Sequence, residues 1–255
     1  MSRQLMVDRL HVNIHDSREE MGKKGAAIVA ETIRRLISEK GEINLIFASS
    51  PSQDDLLGAL AIEPDIQWRR VNAFHMDEYI GLGIDAGPSF ANYLRKGFFS
   101  QVEFNNVFYM DGMNDPLKEC ARYTELLKKY PTDITLIGIG ENGHIGFNDP
   151  YMADFFDPEL VVINKELDQE CRAQQVADGW YKTIEDVPKS AITVSVYGLL
   201  KAPIVFATVP GIRKASIVKR CLEGAIGTEC PSTGIRVHRD AALFLDNDSS
   251  SLLTI

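Results

Sequence analysis

No stretch of this chain approaches the about 20 consecutive apolar residues that a bilayer-spanning helix needs. The opening residues, MSRQLMVDRLHVNIHD, carry no apolar core of the signal-peptide kind. An excess of positive charge is also missing: 27 Lys and Arg stand against 36 Asp and Glu, for a net charge of −9. That balance argues against a general nucleic-acid-binding surface, yet leaves room for a local basic pocket that takes a small anion. Cys120, Cys171, Cys221 and Cys230 form no CxxC pair and no regular spacing, which indicates neither a zinc site nor a disulfide framework. Internal repeats, low-complexity tracts and linkers are absent. The expectation from these absences is a reduced, cytoplasmic globular protein, and 45% hydrophobic with 25% charged residues fits that class.

What is present centres on Ile134 to Pro150, ITLIGIGENGHIGFNDP. A short apolar run of the kind used by buried parallel strands, Ile134 to Ile137, leads into Gly138, Gly140, Gly143 and Gly146. Between and after these glycines lie Glu141, Asn142, His144, Asn148 and Asp149. A plain surface turn needs one glycine and no histidine. Four glycines let the backbone approach a ligand closely, and loops at the carboxyl ends of strands are where open α/β sheets bind ligands.

Other segments repeat the strand–loop–helix theme. Ser17 and Glu20 form a capping-box pattern before a helical apolar face that stops at Gly41. This helix occupies most of the residues ahead of the first core strand, Ile43 to Ala48. Ser49 to Gln53 then leads into a helix through Leu56, Leu57 and Leu60, with Ser50 as N-cap and Pro51 at the first helical position. Further strands are expected at Ile66–Phe74, Val107–Met110, Val161–Ile163, Ile192–Val196, Ile204–Thr208 and Leu243–Leu245. Helices are expected around Phe90–Phe98, Asp115–Tyr130, Asp168–Trp180 and Lys214–Leu222. The alternation predicts an α/β fold: one doubly wound, mostly parallel, Rossmann-like sheet of six or seven strands with helices on both faces.

Four strand-end loops then converge: Ser49–Gln53, His75–Tyr79, Gly138–Pro150 and Val209–Lys214. Ser49, Ser50 and Ser52 bring hydroxyls to a helix N-terminus, an anion-favouring place, although Pro51 removes one N–H and simple capping explains the serines equally well. Lys214 is a cationic partner for the same anion. Asp77 at a strand end is a candidate general base if burial raises its pKa. His144 with Asp149 is a candidate carboxylate–histidine couple, and Asn142 adds a hydrogen-bonding group that cannot titrate. His75, Asp77 and His144 show no metal-ligand spacing, so no metal is expected.

HMDEYIGL, the Pro88-Ser89-Phe90 helix start, GIGENGHIGFNDP and VPKSAITV, in that order, resemble the glucosamine-6-phosphate deaminase/isomerase family, whose fold the 6-phosphogluconolactonases share. The resemblance implies ring opening, aldose–ketose isomerisation and loss of ammonia from an amino sugar 6-phosphate, with no cofactor. It implies Asp77 as the base that carries a proton from C2 to C1, and His144 as the group that moves the ring-opening proton. Lys214 matches the phosphate-binding lysine, and Asn142 stands where Asp or Asn occurs. Asp149 replaces the usual Glu and has about one methylene further to reach. Ser50-Pro51 replaces a Gly-Gly pair, and the lid-helix arginine has no counterpart, with Arg172 as the nearest substitute. The implied organisation is a single domain over residues 1–255 with a lid-like segment around 151–187. The implied partner is a small-molecule sugar phosphate, with neither nucleic acid nor membrane, and homo-oligomerisation is left open. A catalytically inactive sugar-phosphate sensor and a 6-phosphogluconolactonase-like hydrolase are the rival readings.

Overall fold

The computed structural model describes residues 2–255. Its centre is an eight-stranded sheet. The chain begins with a hairpin, β1 (Arg3–Val7) and β2 (Leu10–His15), paired antiparallel through a tight turn at Asp8, whose φ is 53°. Helix α1 (Arg18–Lys40) follows, capped by Ser17, which accepts the Glu20 N–H at 3.1 Å, and closed at Gly41 with φ 84°. Then come β3 (Ile43–Phe47), α2 (Asp54–Ala61), β4 (Val71–His75), β5 (Asp77–Tyr79), α3 (Phe90–Leu94), β6 (Asn106–Phe108), α4 (Pro116–Lys129) and β7 (Ile134–Ile137). The second half supplies β8 (Val161–Asn164), α5 (Gln169–Ala177), β9 (Ala191–Val194), α6 (Val196–Leu200), β10 (Ile204–Val209), α7 (Ala215–Glu223) and β11 (Ala241–Asp246).

The large sheet runs β1-β2-β11-β10-β7-β3-β4-β6, and every pairing except β1–β2 is parallel. Alternate residues serve opposite faces, as strand geometry requires. Leu45 and Phe47 pack with Val29, Ile33 and Leu56 from α1 and α2, whereas Ile46 and Ala48 belong to the core built with Tyr123 of α4 and Val218 of α7. From β3 the chain builds β4 and β6 on one side; β7, β10 and β11 lie on the other. That reversal opens a crevice beyond the carboxyl ends of β3 and β7, the general ligand position in open α/β sheets.

A second, antiparallel sheet, β5-β9-β8, is joined to this end of the molecule by Val194 N–H donating to Met76 O at 2.7 Å. It has its own core, in which Phe90 and Phe147 stack at 5.3 Å and Tyr79 lies against both. Burying each such ring contributes roughly 1.5–3 kcal/mol.

The expected fold class holds, with three corrections. The residues before β3 hold a hairpin as well as a helix; its turn, Asp8-Arg9, lacks the Asn-Gly or Asp-Gly signature that marks hairpins in sequence. Among the described residues, eleven strands in two sheets replace the expected six or seven in one. Ile192–Val196 yields β9, which pairs with β5 and β8 instead of joining the parallel sheet. Asp77 accordingly sits on a strand, not in a loop.

Candidate active site

Beyond the carboxyl edge of the large sheet lies a cleft of about 390 Å³. Ser49, Ser50 and Ser52, Asp77, His144 and Lys214 all line it. They arrive from the ends of several different strands, so the topology itself assembles the group.

The loop after β7 is shaped by its glycines. A Cβ on Gly140 would lie 2.0–2.3 Å from three atoms of the His144 ring, so the imidazole rests directly on that backbone. A Cβ on Gly138 would come within 2.9 Å of Ser52 Oγ, which lets the β3 loop close against the β7 loop. Gly143 and Gly146 have φ of 94° and 57°, conformations that L side chains rarely adopt.

His144 is buried, and its Nδ1 lies 2.7 Å from Asn142 Oδ1. The orientation of that amide is fixed by its other contacts. Oδ1 also accepts the His144 backbone N–H at 3.0 Å, while Nδ2 donates to Asp149 Oδ1 at 2.9 Å. Since Asn142 Oδ1 only accepts, Nδ1 must carry the proton, leaving Nε2 with a bare lone pair. Asp149 is itself fully buried and accepts from Asn164 Nδ2 at 2.8 Å and Asp168 N at 3.0 Å. The direct His144–Asp149 separation is 3.7 Å, beyond hydrogen-bond range. The expected couple is thus a three-membered chain, Asp149–Asn142–His144. Burial lowers the His144 pKa from its ordinary value, and the nearby Asp149 charge opposes that shift only in part.

Asp77, 6% exposed, has Oδ1 without a hydrogen-bond partner. Burial, helped by the adjacent Glu78 charge, raises its pKa well above the usual carboxylate range. An ionisable oxygen left unpaired where water is excluded is costly, and such groups concentrate at functional sites. Glu78 plays a structural part instead. It accepts from Ser89 Oγ at 2.7 Å and from the Phe90 and Ala91 N–H groups, anchoring the start of α3.

The serine loop and Lys214 line the same cleft. Ser50 makes no side-chain capping bond; its Oγ is 2.7 Å from Ser52 Oγ, and Ser49 Oγ is buried without a partner. Gln53, completely buried, directs Nε2 to the carbonyls of Ile137 and Thr208, tying the loop to β7 and β10. The serines therefore face the cleft with spare hydrogen-bonding capacity, which the capping explanation does not require. Lys214, reached through Gly211 (φ 90°), is buried; its Nζ lies 3.3 Å from Gln174 Oε1, and burial lowers its pKa to about 8.

Arg172 stands apart from this group. Its guanidinium donates to the carbonyls of Ile184 and Val187, bracing the segment after α5, and it does not line the cleft. Its neighbours Gln174 and Gln175 do line it, together with Arg18 and Arg213. Neither arginine emerges from the sequence reading. Arg213 carries a signal, being adjacent to Lys214. Arg18 carries none unless the hairpin is recognised, because only β2 brings the start of α1 to the carboxyl edge. Among the described residues, His144, Asp149 and Cys171 form the one cluster with metal-ligand character, their donor atoms lying within 4.8 Å of one another. Asp149 and His144 Nδ1 are already engaged in the hydrogen bonds above.

This arrangement can be set beside known proteins. The model of a family described as glucosamine-6-phosphate isomerases/6-phosphogluconolactonase matches residues 16–244. A glucosamine-6-phosphate deaminase of Listeria monocytogenes serotype 4a (strain HCC23) is 30% identical over 231 residues, covering 90% of this chain and 95% of the relative. One from Clostridium perfringens (strain 13 / Type A) is 32% identical over 242 residues, 92% of this chain and 96% of the relative. A solved structure of a monomeric glucosamine-6-phosphate deaminase superposes with a TM-score of 0.84 at 28% identity, over 95% of this chain and 99% of that one. The 6-phosphogluconolactonase of Trypanosoma brucei, at 16% identity and a TM-score of 0.78 over 95% and 98% of the two chains, shares the fold. With nearly the whole length matched and the cleft built on the loops that carry the motifs, the chain belongs to the glucosamine-6-phosphate isomerase/6-phosphogluconolactonase family.

Proposed function

We infer that this chain is an enzyme that converts an amino sugar 6-phosphate and water into a ketose 6-phosphate and ammonia. The observation that carries this reading is the pairing, in one cleft, of an unpartnered buried carboxylate with an imidazole of defined tautomer. A cleft of about 390 Å³ lies within the usual range for small-ligand sites. His144, neutral and with Nε2 free, takes the proton from the anomeric hydroxyl and returns it to the ring oxygen, opening the sugar. Asp77 removes the C2 proton and delivers it to C1. Its raised pKa makes it a stronger base toward carbon than an ordinary carboxylate, and the substrate's amino group offers a positive charge that helps keep it ionised. Water then adds at C2, and ammonia leaves.

The phosphoryl group is assigned to Ser49, Ser50, Ser52 and Lys214. Arg172 is given no substrate contact. Asn142 and Asp149 position His144. The chain is read as one domain, with residues 151–187 as a lid bearing Gln174 and Gln175 over the cleft, and all groups invoked come from a single copy. Among the described residues no helix is long and apolar enough to cross a membrane, and four free thiols agree with the cytoplasmic assignment we make.

Ammonia release from glucosamine 6-phosphate and galactosamine 6-phosphate tests the reading. Turnover of either supports it. Folded protein that turns over neither refutes it; hydrolysis of 6-phosphogluconolactone would then assign a lactonase, and binding without turnover a sensor.

A further inference from the structure

Accepting the reading above, we propose that Arg18, from the first turn of α1, is the second cationic ligand of the substrate's phosphoryl group. A phosphate monoester carries a charge near −2 at neutral pH and offers three acceptor oxygens. Within the cleft, Lys214 is the buried cation, and a pKa of about 8 makes its charge incomplete above neutrality. Pro51 contributes no backbone N–H to the serine loop. A further donor is needed, and two guanidinium groups line the cleft.

They differ in what already holds them. Arg213 faces two carboxylates, Glu141 at 2.7 Å and Asp178 at 2.8 Å, so its charge is more than balanced and its fork is occupied by lid and loop. Arg18 pairs directly with one, Asp55, through Nε, feels the charge of Asp54 without bonding to it, and spends one Nη2 bond on the Pro51 carbonyl. That second bond fixes the guanidinium against the very residue that lacks an N–H. The remaining Nη protons have no protein partner among the described residues, and Arg18 lines the same cleft as Ser50 and Ser52, whose hydroxyls bond to each other while Ser52 also accepts from Gln53 Nε2. A guanidinium anchored on one edge and open on the other is the geometry that grips phosphate oxygens in a forked manner.

The test uses glucitol 6-phosphate, which has neither carbonyl nor amine, so binding is read by calorimetry independently of turnover. Arg18→Met should weaken its binding about 10- to 100-fold, the loss associated with one charged hydrogen-bonding ligand. Arg18→Lys should recover part of that loss. Asp55→Asn, which removes the brace and keeps the arginine, should stay within about threefold of the parent. For substrate, Arg18→Met should raise KM and leave kcat nearly unchanged. The assignment is overturned if Arg18→Met binds within twofold of the parent. It is also overturned if Asp55→Asn loses as much as Arg18→Met, since Arg18 would then only hold the loop in place. Absence of ammonia release with Arg18-dependent binding intact would refute the deaminase reading alone. Absence of any binding by the parent protein would refute both.

Discussion

Gly140→Ala isolates the geometry of His144. The backbone φ of Gly140 lies outside the left-handed region, so alanine meets no conformational penalty of its own. The obstacle is the imidazole. The new Cβ would stand 2.0 Å from Cε1, 2.2 Å from Nε2 and 2.3 Å from Nδ1, whereas carbon atoms in contact settle at about 3.5–4.0 Å. The ring must retreat by about 1.5 Å or more, which breaks its 2.7 Å contact with Asn142 and carries Nε2 off target. A displacement of about 1 Å in a catalytic group costs on the order of 10²-fold in rate. Because the ring borders an open cleft it can swing outward, which holds the stability cost near the about 1–3 kcal/mol of ordinary overpacking. The assay is kcat/KM for ammonia release, with thermal melting and glucitol 6-phosphate affinity measured on the same protein. The expected outcome is a loss of about 100-fold in kcat/KM with phosphate affinity nearly intact, since Gly140 does not support the serine loop. A variant retaining kcat/KM within threefold would show that the position of His144 does not matter to the reaction.

Three further outcomes are expected. Asp77→Asn should lower kcat by at least about 10²-fold while leaving KM within a few-fold, because the amide keeps the shape and loses the base; full activity would remove Asp77 from that role. The pH profile of kcat/KM should be bell-shaped. Its acid limb reflects Asp77, needed ionised and titrating above the usual carboxylate range, so activity falls as pH drops through that raised value. Its alkaline limb reflects Lys214, needed protonated, so activity falls as pH rises through about 8, and a profile flat from pH 7 to 10 would contradict the assignment. Lys214→Met should raise KM about 10- to 100-fold and abolish that alkaline limb; a KM within twofold of the parent would place the phosphate elsewhere.

Residues whose role depends on local chain character are the ones legible in the sequence. The β7 loop stands out because four glycines within nine residues have no use in a plain turn. Three of them serve separate purposes in the structure. Gly140 seats the histidine, Gly138 admits the serine loop, and Gly146 allows approach to Thr193 Oγ1. Asp77 and Lys214 follow from strand ends. What escapes depends on distant pairing. The β1–β2 hairpin has an unmarked turn, and missing it conceals Arg18. In the β5-β9-β8 sheet, β5 and β9 pair across over a hundred residues of chain, and no periodicity signals such pairing. Arg172 is the nearest substitute for the lid-helix arginine that the resemblance implies, but a guanidinium satisfies backbone carbonyls as readily as a phosphate, and here it bonds those of Ile184 and Val187.

Asp149 meets His144 only through Asn142, and this has a chemical consequence. A carboxylate hydrogen-bonded directly to Nδ1 would stabilise the imidazolium and raise the histidine pKa. Here Asn142 stands between, holding the charge 3.7 Å from the ring and passing on only a polarised amide. Burial then dominates and His144 stays neutral at physiological pH. Neutrality suits the role proposed for His144, because a protonated Nε2 has no lone pair with which to take the hydroxyl proton. The tautomer is still fixed, since Asn142 Oδ1 can only accept from Nδ1. The interposed amide therefore keeps the orienting function of the couple and weakens the charging one. The shorter acid and the asparagine act as one unit, and changing either alone should disturb His144 more than changing both together.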